Sequence, residues 1–129
     1  DDDGDNWTAR TSALAGNNRL RTVVYAKGSI QKWIIGGESG RMAYSSNGVN
    51  WTVIWDGDDS TWGGGIIYQI ATDHTTVCVV GNNGMIATST DGINYTVQSP
   101  AVDTTGDGSP DYTVALRSVC SNVQGAGFY

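Results

Sequence analysis

Short runs of crowded apolar residues, broken by glycine and by acidic turns, fill most of this chain. Leu20 to Ala26 (LRTVVYA) is rich in β-branched and aromatic residues, and Lys27-Gly28 behind it is a turn signal. Ile30 to Ile35 (IQKWII) follows and closes at Gly36-Gly37. Arg41 to Ser45 (RMAYS) is a third run and Trp51 to Trp55 (WTVIW) a fourth. The order then returns as Ile66 to Ala71, Thr75 to Val80, Met85 to Ser89 and Tyr95 to Gln98. No stretch carries the helical period, so the pattern predicts an all-β fold. Apolar pairs such as Ile34-Ile35 and Val79-Val80 point to opposite faces of a strand. Such strands are expected to be covered on both sides, as inner strands of stacked sheets are.

The runs recur with a fixed step. Trp7, Trp51 and Tyr95 lie 44 residues apart, and so do Gly4, Gly48 and Gly92. Gly37 and Gly81, Gly40 and Gly84, and Ser45 and Ser89 keep the same 44-residue spacing. A shared step over so many kinds of position marks an internal repeat, in the range of propeller blades. Its most regular part is a short acidic turn: DDDGDNW at Asp1 to Trp7, SSNGVNW at Ser45 to Trp51, STDGINY at Ser89 to Tyr95. The Asp or Asn (Asp3, Asn47, Asp91) can accept from backbone N–H groups ahead of it, and the Gly that follows tolerates positive φ. The aromatic residue then opens the next strand. The turn is first a structural device and only second a candidate site.

These residues carry a resemblance. S-x-D-G-x-x-W resembles the Asp-box, or BNR, repeat of sialidase-like β-propellers; STDGINY has Tyr for Trp, SSNGVNW has Asn for Asp, and DDDGDNW lacks the leading Ser. Similar runs occur in phage tail and virion proteins and in photosystem-assembly propellers. The resemblance implies blades of four strands, with the box at the periphery between the third and fourth strands and outside any catalytic centre. It covers the whole chain as a repeat pattern, and it speaks for fold more than for function.

The third unit is incomplete. Leu116 to Tyr129 (LRSVCSNVQGAGFY) resembles Leu20 to Trp33 (LRTVVYAKGSIQKW), with a connector 8 residues longer than the repeat requires. The expected architecture is one repeat domain over residues 1–129, with units at about 8–51, 52–95 and 96–129. Propellers need about four to eight blades, so fewer than three cannot close a ring alone. Three accounts stay open: a fragment of a longer propeller, assembly with copies of itself or other structural subunits, or a closed β-trefoil-like barrel. The box resemblance favours the first two. Unfinished strand edges would promote pairing with a neighbour.

Charge narrows the partners. A net charge of -6, with five arginines and two lysines in no run, argues against nucleic acid. No apolar run approaches the roughly 20 residues of a membrane helix, so no membrane insertion is expected. Cys78 and Cys120 are too few for a disulfide framework and sit in apolar runs, which reads as buried free thiols.

Two loops are candidate sites. DTTGDGSPD, Asp103 to Asp111, resembles the opening of a calcium loop, with Asp103, Thr105, Asp107 and Asp111 as ligands and Ser109 in support. Thr105 stands where an Asp is usual and Val114 where a bidentate Glu would close the site, so a plain acidic turn is the simpler reading. The second loop runs from Trp55 to Gly65, where Trp55, Asp56, Asp58 and Trp62 would make a glycan platform of rings beside carboxylates. The plainer alternative has Trp55 in the core and Trp62 filling a packing gap.

Catalysis has little support. A sialidase-like site needs an arginine cluster and a tyrosine–glutamate pair, yet Glu38 is the only glutamate and sits in a repeated turn. Arg21 and Arg117 occupy matching repeat positions, which reads as structure. His74, the only histidine, lies in a polar turn and is expected to be exposed. The expected function is a non-catalytic structural or recognition module, virion-surface or extracellular. The rivals are a piece of a sialidase-like glycosidase and a calcium-assisted glycan-binding lectin.

Overall fold

The computed structural model describes Gly4, residues 6–14, Gly16, residues 18–57 and 65–98, Gly106 and residues 115–120. Eight strands form among them: β1 (Leu20–Ala26), β2 (Lys32–Gly37), β3 (Met42–Ser45), β4 (Thr52–Trp55), β5 (Ile67–Thr72), β6 (Val77–Gly81), β7 (Ile86–Ser89) and β8 (Thr96–Val97). They make two antiparallel four-stranded sheets, in the orders β1-β2-β3-β4 and β5-β6-β7-β8. The fold is all-β, as the sequence pattern predicts. The closed trefoil-like barrel is not what forms. Each sheet is a simple meander, and among the described residues no strand ladder joins one sheet to the other.

The repeat holds in the hydrogen bonds of the turn between the second and third strands. In both units a tight 3-10 turn (Glu38–Gly40, Asn82–Gly84) links the second and third strands. Ser39 and Asn83 take left-handed φ of 57° and 58° there. Gly37 N–H donates to Arg41 O at 3.1 Å, and Gly81 N–H to Met85 O at 3.1 Å. Glu38 N–H donates to Arg19 O and Asn82 N–H to Ile66 O. A Cβ on Gly37 would run into the Arg19 carbonyl, which is why this turn starts with glycine.

The first strands do not keep the common step. Leu20 pairs with Gly37 and Ile67 with Gly81, so the first strand advances 47 residues where the rest of the sheet advances 44. Both first strands carry an irregularity at the same place, between Leu20 and Thr22 and between Ile67 and Gln69. The extra three residues sit in the β1–β2 loop. There Ile30 N–H bonds back to Lys27 O and Gln31 takes φ 48°, which delays β2 to Lys32 instead of the expected Ile30.

The sheets stack face to face. Ala26, Ile30, Ile34, Met42 and Trp55 of the first unit meet Ile67, Ile70, Val77, Val79 and Ala87 of the second in one buried core. Thr22 Oγ1 accepts the Ile70 N–H across the junction at 3.1 Å. A second, smaller core forms on the far face of the second sheet, where Ala71, Cys78 and Val80 meet Val119.

Candidate functional site

The acidic turns are held by their own hydrogen bonds, and the geometry of the second follows from three side chains. In the second turn Ser89 Oγ accepts the N–H groups of Asp91 and Gly92 and donates to Asp91 Oδ1 at 2.9 Å. Asp91 Oδ1 accepts the N–H groups of Ile93 and Asn94, each at 2.8 Å, and Oδ2 accepts from Asn94 Nδ2 at 2.7 Å. Burial works to raise the Asp91 carboxyl, but these donors outweigh it and hold the group far below the ordinary carboxylate range. The first turn repeats the pattern with Ser45 and Asn47, whose Oδ1 accepts from Val49 and Asn50 at 2.9 Å. These acceptors bind the turn's own backbone and side chains, which makes the groups structural.

The aromatic that ends the second turn is seated in the core. Tyr95 lies 5.4 Å from Trp55, centroid to centroid. Its hydroxyl is buried without a hydrogen-bond partner among the described residues. Burial, aided by the Asp91 charge, pushes its ionisation well above the usual range.

The glycan-platform residues are only partly in view. Trp55 is 6% exposed and belongs to the inter-sheet core, the plainer of its two readings. Asp56 follows it on the surface. Asp58 and Trp62 lie outside the described residues, and so do Asp103, Thr105, Asp107 and Asp111. Among the described residues no three His, Cys, Asp or Glu side chains gather to hold a metal.

Other groups with chemical potential are tied to structure. His74 is half-buried, not exposed, and takes φ 76°. Its Nδ1 accepts the Lys27 N–H at 3.3 Å, stitching the first loops of the two sheets together. This bond needs the neutral ring proton on Nε2. Cys78 is a free thiol and buried as expected, whereas Cys120 is exposed. An apolar hollow of about 340 Å³ adjoins Cys78, Val80, Ile86, Leu116 and Val119. The titratable group in its described lining is Cys78, whose thiol burial pushes up to about 11, too high for a nucleophile near neutral pH.

The first strands bear a feature that the sequence step of 44 hides. Arg21 and Arg117 both place their guanidinium groups over the Tyr68 ring, at 5.8 and 5.0 Å from its centroid. Arg21 and Tyr68 are the second residues of β1 and β5, and Arg117 extends the same row on the other side of the ring. Arg21 also reaches Glu38 at 2.9 Å. The Glu38 carboxyl is held low by the Arg19 N–H first and by Arg21 second.

Compared with family models, with curated proteins and with solved structures, the chain matches none. No helix among the described residues is long and apolar enough to cross a membrane.

Proposed function

We propose that this chain is a non-catalytic structural and recognition module built from Asp-box blades of β-propeller type, working at a virion surface or in another extracellular setting. The observation that carries the reading is the repeated stacking. Ile70 N–H donates to Thr22 Oγ1, and one unit later Val119 N–H donates to Gln69 Oε1. Each junction is backed by its own apolar core. A stack in which every unit meets the next in the same way is a rigid platform. The connectors that differ between units, residues 55–65 and 101–111, supply the contacts.

The test is a glycan array, with and without chelator, run beside a panel of fluorogenic glycosides that includes sialosides. The scaffold reading expects no turnover, and expects any glycan binding to be removed by changes in residues 55–65 and kept in chelator. Turnover of a glycoside would replace it with a glycosidase. Binding lost in chelator and in Asp107→Ala would replace it with a calcium-assisted lectin.

A further inference from the structure

The two faces of each sheet are unlike, and the repeat specifies what each one meets. On the second sheet the cross-strand row Ile70, Val79, Ala87 and Val97 turns toward the first sheet, with Val77 beside it. The matching row on the first sheet is Val23, Ile35, Ala43 and Val53, joined by the same pairings, with Trp33 beside it. The second sheet covers its row: Ile70 is 4% exposed and Val77 and Val79 are 0%. On the first sheet Val23 is 61% exposed, Trp33 40% and Val53 37%, and Tyr25 stacks on Trp33 at 4.8 Å. In the middle of the row Ile35 and Ala43 are buried, and around them Val23, Tyr25, Trp33 and Val53 leave apolar surface open, which marks an interaction surface.

We infer that this face of the first sheet docks a second copy of the same chain, seated as the first sheet is seated on the second. The inference rests on the blade reading above. The occupant is argued from continuity with junctions already made. Ile34 of the first sheet and Cys78 of the second are equivalent, and each faces the next unit, through Ile70 and Val119 respectively. Each unit therefore receives on one face and inserts on the other, and among the described residues no other sheet fills the receiving row of the first unit. Such head-to-tail contacts close a ring or run on as a fibre. A closed ring needs about four to eight such units, and the described residues form two sheets.

The polar detail of the junction sharpens the match. The acceptors stand at equivalent positions, Thr22 and Gln69, and the donors at Ile70 and Val119. One more step makes Ser118 the next acceptor and Val23 of the neighbouring copy the next donor. Ser118 is exposed and carries a hydroxyl suited to the part. The same step brings Arg117 toward Arg21 of the neighbour, where Glu38 is already in place to separate the two charges.

Light scattering across a wide dilution series tests this. The wild-type chain is expected to show twice the 13.6 kDa of one chain, or a larger closed multiple. Val23→Asp with Trp33→Asp is expected to return the mass to that of one chain. Because the separated chain could lose its fold, hydrogen exchange on the wild type is read in parallel. The peptide spanning β1 should be protected when concentrated and should exchange faster on dilution. A wild-type mass of one chain at every concentration overturns the inference, and so does an assembly that survives the double substitution or leaves β1 exchange unchanged. Glycan binding and turnover are read on separate samples, so a monomer without turnover would sink this docking and leave the scaffold reading standing.

Discussion

The two sheets are near copies, yet one is enclosed and the other half open. At the acidic turns the contrast is sharpest. Gly92 of the second turn is buried, and a Cβ there would meet Ile30 Cγ2 at 3.0 Å and Ile34 Cδ1 at 3.3 Å across the sheet junction. Gly48 of the first turn has the same φ, 71° against 73°, but its nearest neighbour is Trp33 of its own sheet, at 3.8 Å. The turns share their backbone hydrogen bonds and differ in what leans on them. Local bonding therefore shapes the turn, and the neighbouring sheet determines how much a change there costs.

The largest effect separates equivalent apolar positions. Ile70→Ala empties part of the inter-sheet core and is expected to cost about 3 kcal/mol. Val23→Ala, its counterpart on the open face, is expected to cost less than about 0.5 kcal/mol in the isolated chain. Urea denaturation at two protein concentrations reads both. Ile70→Ala should lower the midpoint equally at each concentration. Val23→Ala should act only where assembly contributes. Equal costs at low concentration would mean that the first sheet is covered as the second is.

The same contrast shows what the sequence made legible. Strand order, the acidic turns and the double burial of β6 were readable, because they follow from apolar adjacency and from Ser, Asp and Gly at fixed spacing. The strand starts at β2 and β6 were read two residues early. The delays lie in loop hydrogen bonds, Ile30 to Lys27 in one unit and Thr75 and Thr76 to Asp73 in the other, and composition does not reveal such bonds. The Arg21–Tyr68–Arg117 row was half visible, as two arginines at matching positions. Tyr68 escaped because a constant step of 44 carries Arg21 onto Gly65, while the longer loop of the first unit makes the true step 47. His74 looked like a surface histidine because the Lys27 amide it accepts from lies 47 residues away in sequence. Side chains whose partners come from another unit are the part that local pattern cannot show.

A middle-sized effect compares the two glycines. Alanine at either position must hold a left-handed φ, at roughly 1 kcal/mol. Gly92→Ala adds the contact with Ile30, a further 1 kcal/mol or so. Gly48→Ala has room and is expected to stop at the backbone cost. Melting of the two variants side by side measures the difference, which is the load the junction places on the second turn. A difference near zero would show that Ile30 yields freely and that the junction is loose there.

The smallest effect concerns charge. Asn47 and Asp91 accept the same two backbone N–H groups, but Asp91 has a second oxygen that takes the Asn94 amide. Asp91→Asn keeps Oδ1 and loses that bond, making the second turn a copy of the first, at about 1 kcal/mol near neutral pH. The folded carboxyl lies below its ordinary value, so its contribution is complete above about pH 4 and fades as the pH falls further. The wild-type advantage over Asp91→Asn should therefore shrink as urea midpoints are followed from neutral to acid pH. The acid slope should flatten without vanishing, because Glu38 and Asp73 are also held low and continue to titrate. An advantage that stays constant through the acid range would mean that the turn binds a neutral oxygen as well as a charged one. The Asn-for-Asp difference between the two units would then be without energetic consequence.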